Sequence, residues 1–132
     1  MPLYSNAQGT YDSADQSLLV KAPTGTTFTL NSAATTNATL VKNSSTVITD
    51  AVLSNNGAAA AFVKLYNKAS APTVGTDIPL ICLTVPALGH APLDVNGLLF
   101  ATGLSIAITN LAPDTDTTAV AAGQVKIFMQ YR

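Results

Sequence analysis

The chain has no glutamate and no tryptophan, one histidine, one cysteine, and only 10% charged residues across 132 positions. An average soluble domain carries about 25% charged residues, so uncharged polar and small side chains must cover much of this surface. One cysteine excludes an internal disulfide. One cysteine and one histidine cannot supply the four ligands of a structural zinc site. The net charge is −1, and the six basic residues are scattered from Lys21 to Arg132, which leaves no electrostatic footprint for nucleic acid. The densest apolar stretch, residues 58–63, falls far short of the roughly 20 residues a membrane-spanning helix needs. The first residues, Met1-Pro2-Leu3-Tyr4-Ser5-Asn6, lack the basic and apolar regions expected of a secretory signal. No glycine-rich phosphate loop occurs either.

What is present is Thr, Ser, Asn and Ala interleaved with short Val/Ile/Leu runs. Residues 1–16 are polar and aperiodic and read as an N-terminal arm; residues 17–132 read as one domain. Turn residues punctuate apolar runs at 17–22, 27–31, 38–42, 46–54, 60–67, 79–85, 91–100, 104–110 and 124–132. About eight or nine strands of this length suit a sandwich, a jelly roll or a small barrel, and the expectation is an all-β, single-domain β-sandwich, jelly-roll-like, of about eight strands. Asn56-Gly57 predicts a tight hairpin with positive φ, and Asn96-Gly97 a turn or bulge. A single helical turn is expected at 117–122. Leu104, Ile106 and Ile108 alternate with Ser105, Ala107 and Thr109, as on a two-faced strand. In the last strand Val125, Ile127, Met129 and Tyr131 share one side. Lys126, Phe128, Gln130 and Arg132 share the other, so Phe128 should stand half exposed unless something covers it.

Few residues can carry chemistry. His90 is the only imidazole, in a loop-like setting, with no nucleophile-elbow pattern elsewhere to complete a triad. Asp114 and Asp116, with Thr115, Thr117 and Thr118, form the one candidate Ca²⁺ site; the competing explanation is that Asp and Thr cap turns. Asp12 and Asp15 read as solvated carboxylates. Cys82 lies in an apolar run with no basic sequence neighbour to activate it, and reads as an inert thiol. The expectation is therefore a protein without catalytic residues or cofactor. The aromatics are dispersed rather than gathered into a stacking platform. Phe62, Tyr66, Phe128 and Tyr131 are the candidate subunit-contact residues.

The run Phe62-Val63-Lys64-Leu65-Tyr66-Asn67-Lys68-Ala69-Ser70-Ala71-Pro72-Thr73-Val74-Gly75-Thr76-Asp77 resembles a segment of small virion proteins of tailed bacteriophages. So does Phe100-Ala101-Thr102-Gly103-Leu104-Ser105-Ile106-Ala107-Ile108-Thr109, continued through Asp114-Thr115-Asp116-Thr117-Thr118-Ala119-Val120. The similarity covers roughly residues 50–132, and no motif is recognised in the first fifty. Within that class, size and strand content are similar to capsid cement (decoration) proteins. The resemblance implies a β-sandwich or jelly roll that forms a homo-oligomer, a trimer in particular. It implies docking on the major capsid protein at the outer capsid of the virion, after assembly in the host cytoplasm. It implies neither nucleic acid nor membrane as partner. The alternatives are a neck, tail or head-fibre component, or a carbohydrate-binding attachment module; the lack of tryptophan weakens the last.

Overall fold

The computed structural model describes residues 25–93 and 97–132. The expected arm at 1–16 and strand at 17–22 lie outside the described residues. Nine strands follow in chain order: β1 Thr26–Asn31, β2 Thr39–Lys42, β3 Thr46–Asn55, β4 Ala61–Asn67, β5 Ile81–Val85, β6 Gly89–Pro92, β7 Leu98–Phe100, β8 Leu104–Thr109 and β9 Val125–Tyr131. All pairings are antiparallel. One sheet has the order β1-β9-β3-β6, with β7 also on β3; the other has the order β2-β8-β4-β5. The chain crosses repeatedly between the two sheets, and these strand orders are those of a jelly roll. The protein is an all-β sandwich.

The core lies between the sheets. Ile48, Leu53, Ile127 and Met129 from the first sheet meet Val63, Leu65, Ile106 and Ile108 from the second, and all are buried. Alternation of period two puts them there, and each such side chain contributes about 1.5–3 kcal/mol on burial. Phe28, Leu30 and Val41, on β1 and β2 at the margins of the two sheets among the described residues, are only partly covered.

Three expectations change. Asn56-Gly57 makes no hairpin, because β3 and β4 belong to different sheets and residues 56–60 form the corner between them. Gly57 does not adopt positive φ there. Buried Asn55 holds the corner instead. Its Nδ2 donates to the carbonyls of Ala59 and Val85 at 2.9 and 3.1 Å, and its Oδ1 accepts from the Gly57 amide at 2.8 Å. The expected strand at 91–100 is two strands, β6 and β7, which pair with different stretches of β3. Gly97 between them has φ 83°, a left-handed conformation that glycine adopts without strain. Finally, residues 117–122 contain no helical turn. Asp116 binds both the amide and hydroxyl of Thr118, which draws this segment into a capped loop.

Strand β8 is buried along its whole length, on both faces. Leu104, Ile106 and Ile108 face the core, whereas Ser105, Ala107 and Thr109 lie under the loops at 68–80 and 110–124. Those loops touch one another, since a Cβ on Gly75 would come within 2.6 Å of the Thr117 methyl. Their base is pinned by Asn67, whose Oδ1 accepts the Thr102 amide at 2.8 Å, and by the Lys68 amide donating to the Gly103 carbonyl at 3.0 Å. A Cβ on Gly103 would meet the Lys42 carbonyl at 2.8 Å, and Ala69 Cα and the Lys68 carbonyl at 2.9 Å, all of them backbone. Gly103→Ala is therefore expected to destabilise the fold by about 1–3 kcal/mol, read as a lower urea midpoint.

Candidate docking surface

The two outer faces differ in kind. On the β2-β8-β4-β5 sheet, strand β4 directs Phe62, Lys64 and Tyr66 outward, yet Lys64 and Tyr66 are fully buried beneath the loops. The Lys64 Nζ donates to the Pro113 carbonyl at 2.6 Å, so the ammonium tethers the covering loop. Tyr66 is 1% exposed, which removes it as a contact for a second molecule. Its hydroxyl and that of its register partner Ser105 are buried and make no hydrogen bond among the described residues. Burial foremost, then the charges of Asp77, Asp114 and Cys82, push the Tyr66 phenol up to about 12. Phe62 is half-buried at the far end of the same strand.

Sequence proximity missed Lys64 as a neighbour of Cys82. The two are cross-strand partners, and Lys64 pulls the thiol toward ionisation. Burial outweighs it, so the thiol stays above its ordinary range. One available signal was the alternation Phe62-Lys64-Tyr66, a lysine between aromatics on a face too apolar to stand in water.

The loop carboxylates are occupied structurally. Asp116 Oδ2 accepts from Thr118 Oγ1 at 2.6 Å, from the Leu111 amide at 3.2 Å and from the Thr118 amide at 3.3 Å. The Thr118 hydroxyl foremost holds its carboxyl below the usual range. Asp114 is exposed beside it. Among the described residues no three His, Cys, Asp or Glu side chains gather where an ion would bind. Asp77 is likewise lowered, by its ion pair with Lys68 and then by the Thr73 amide. His90 lies in strand β6 opposite Ser54, exposed, rather than in a loop as expected.

The β1-β9-β3-β6 sheet is bare by comparison. Phe128 stands 40% exposed at the centre of its outer face, with Thr29 and Val52 as cross-strand neighbours; Val52 is 41% exposed and pairs onward with Pro92. This apolar row crosses four strands. A row of Asn31, Lys126, Ser54 and His90 borders it on one side, and Thr27, Gln130 and Asp50 on the other. A shallow depression of about 410 Å³ opens along Phe128, Val52, Thr29 and Lys126. Tyr131 is half-buried at the end of β9, where the Lys42 Nζ lies 5.9 Å from its ring centroid and links the two sheets by a cation–π contact. Of the four candidate aromatics, Phe128 alone is exposed on a flat face, whereas Tyr131 and Phe62 sit at strand ends and Tyr66 is interior.

No known protein family, curated protein or solved structure matches the chain.

Two outcomes follow from the buried polar side chains. The Tyr66 phenol is neutral when protonated and its pKa is raised, so its contribution to stability is complete below pH 10 and fades as pH rises towards about 12. In thermal melts Tyr66→Phe should match or exceed the parent at pH 7, and its advantage should widen from pH 10 to 12. Lys64→Ala, which loses packing and a charge-assisted hydrogen bond, is expected to cost about 2–4 kcal/mol. Lys64→Met keeps the volume and should cost less by the same urea measurement.

Proposed function

We propose that this chain is a structural, non-catalytic component of a tailed-bacteriophage virion: a head cement protein that docks on the major capsid protein and reinforces the shell. The observation that carries this is the half-exposed Phe128–Val52 row on the outer sheet face, with the charges of Lys126 and Asp50 at its borders. The resemblance of residues 62–77 and 100–120 to small virion proteins supports the same class, and a jelly roll is compatible with it. A flat face with an aromatic at its centre and its charged groups at the border can pack closely with little loss of charge hydration. Large exposed apolar side chains in a contiguous row mark interaction surfaces more than isolated ones do. Each contact is modest, and a homo-oligomer, a trimer in this proposal, multiplies weak contacts through effective concentration.

Shells assembled without this protein should rupture at lower temperature or milder osmotic shock than shells carrying it, and equal robustness would exclude the cement role. Phe128→Asp should leave the melting temperature of the free protein within a few degrees of the parent. The same change should weaken binding to purified shells by at least ~2 kcal/mol, about thirtyfold in Kd. Retention of full shell binding by Phe128→Asp would move the docking face elsewhere.

A further inference from the structure

The outer face of the β1-β9-β3-β6 sheet carries a knob, a hollow and two opposite charges in a fixed order. Phe128 on β9 is 40% exposed and its cross-strand neighbour Val52 41%. Immediately to one side of them lies the depression of about 410 Å³, bounded by the Phe128 row and by the row of Asn31, Lys126 and Ser54. The exposed carboxylate of Asp50 stands on the opposite side of the Phe128 row, next to Gln130. Strand rise puts about 14 Å between the Lys126 row and the Asp50 row, so the two charges do not pair within one molecule.

We propose that a second copy of this chain covers this face in the free protein, sheet on sheet, about a two-fold axis that lies in the interface and follows the Phe128 row. Rotation about such an axis keeps each strand over its own counterpart and exchanges the two sides of the row. Lys126 of each molecule then comes over the Gln130–Asp50 side of the other, and Asn31 over Thr27. In an isologous contact of this kind every complementary pair is made twice. Packed sheet faces stand about 10 Å apart, too close for two Phe128 rings to meet end to end. An axis set slightly to the Lys126 side of the row places each ring in the hollow beside the other ring. A two-fold axis parallel to the strands would leave the sides unexchanged, bringing Lys126 towards Lys126 and Asp50 towards Asp50. Charge therefore selects the first arrangement. Arg132, just past the end of β9, lies beyond Gln130 and farther from the copy's Lys126 than Asp50 does. A face four strands wide and about five residues long presents on the order of 400 Å² per molecule, about half of what each partner gives to a standard stable interface. The pair is accordingly weak, with a dissociation constant on the order of 100 µM. Shell and second copy then compete for one face, a consequence that rests on the docking role proposed above: the row is covered in solution and released on docking.

Sedimentation equilibrium of the full chain from about 5 to 500 µM tests this. The weight-average mass should rise with concentration towards twice its low-concentration value, and Phe128→Asp should abolish the rise. Lys126→Asp and Asp50→Lys should each weaken pairing at least about fivefold. The double variant should recover to within about twofold of the parent, because the exchanged charges again face opposites. A mass that stays constant across the range would overturn the proposal, as would a Phe128→Asp variant that pairs like the parent. A double variant no better than the single ones would overturn the two-fold arrangement. A chain that never pairs yet binds purified shells through Phe128 would overturn this inference and leave the docking role standing. A chain that pairs as described but ignores shells would support it and overturn that role.

Discussion

The complete burial of β8 sets the terms for the rest of the molecule. A strand covered on both faces in a two-sheet protein needs a third layer, and the loops at 68–80 and 110–124 supply it. That layer is tied down by polar and apolar groups: Lys64 holds the Pro113 carbonyl, the Leu80 amide donates to the Leu65 carbonyl, and Val120 is buried in the core cluster. Lys64, Asp77 and Asp116 on this side each hold a backbone group, whereas Asp114 stays exposed. Close approach of three chain segments at Gly103 leaves no room for a side chain. The asymmetry between the faces follows, because nothing comparable covers the Phe128 row among the described residues.

Most strands were legible because their apolar residues alternate and turn residues bound them. Residues 104–110, 124–132 and 46–54 were placed within one residue of β8, β9 and β3 at either end. The exposure of Phe128 followed from its place between Lys126 and Gln130. Asn56-Gly57 misled because a hairpin turn and a corner between sheets share the same local composition, and only the strand order separates them. The interior position of Tyr66 was not visible either. It depends on loops separated by some thirty residues of sequence converging over one face, a non-local event that no window of sequence encodes. The link between Lys64 and Cys82 is of the same non-local kind, set by register across two strands.

Chemistry and architecture point the same way. His90 stands exposed on a strand, the Cys82 thiol is held above its ordinary range, and the carboxylates of Asp77 and Asp116 are committed to Lys68, Thr73 and Thr118. The Phe128 row offers apolar area on one sheet face, and further exposed apolar side chains stand at Ile78, Leu88 and Leu111 in the loops. Recognition by such a surface rests on fit and repetition, with little contribution from charge steering.

The position of Phe128 on β9 has a mechanical corollary. β9 is an interior strand of its sheet, laddered to β1 on one side and to β3 on the other over nearly its entire length. A pull on the ring directed along the strand loads both ladders in shear, so many hydrogen bonds must yield together rather than unzip singly. If Phe128 is the docking residue proposed above, tension on it would be shared by both ladders, as it would not be on a border strand.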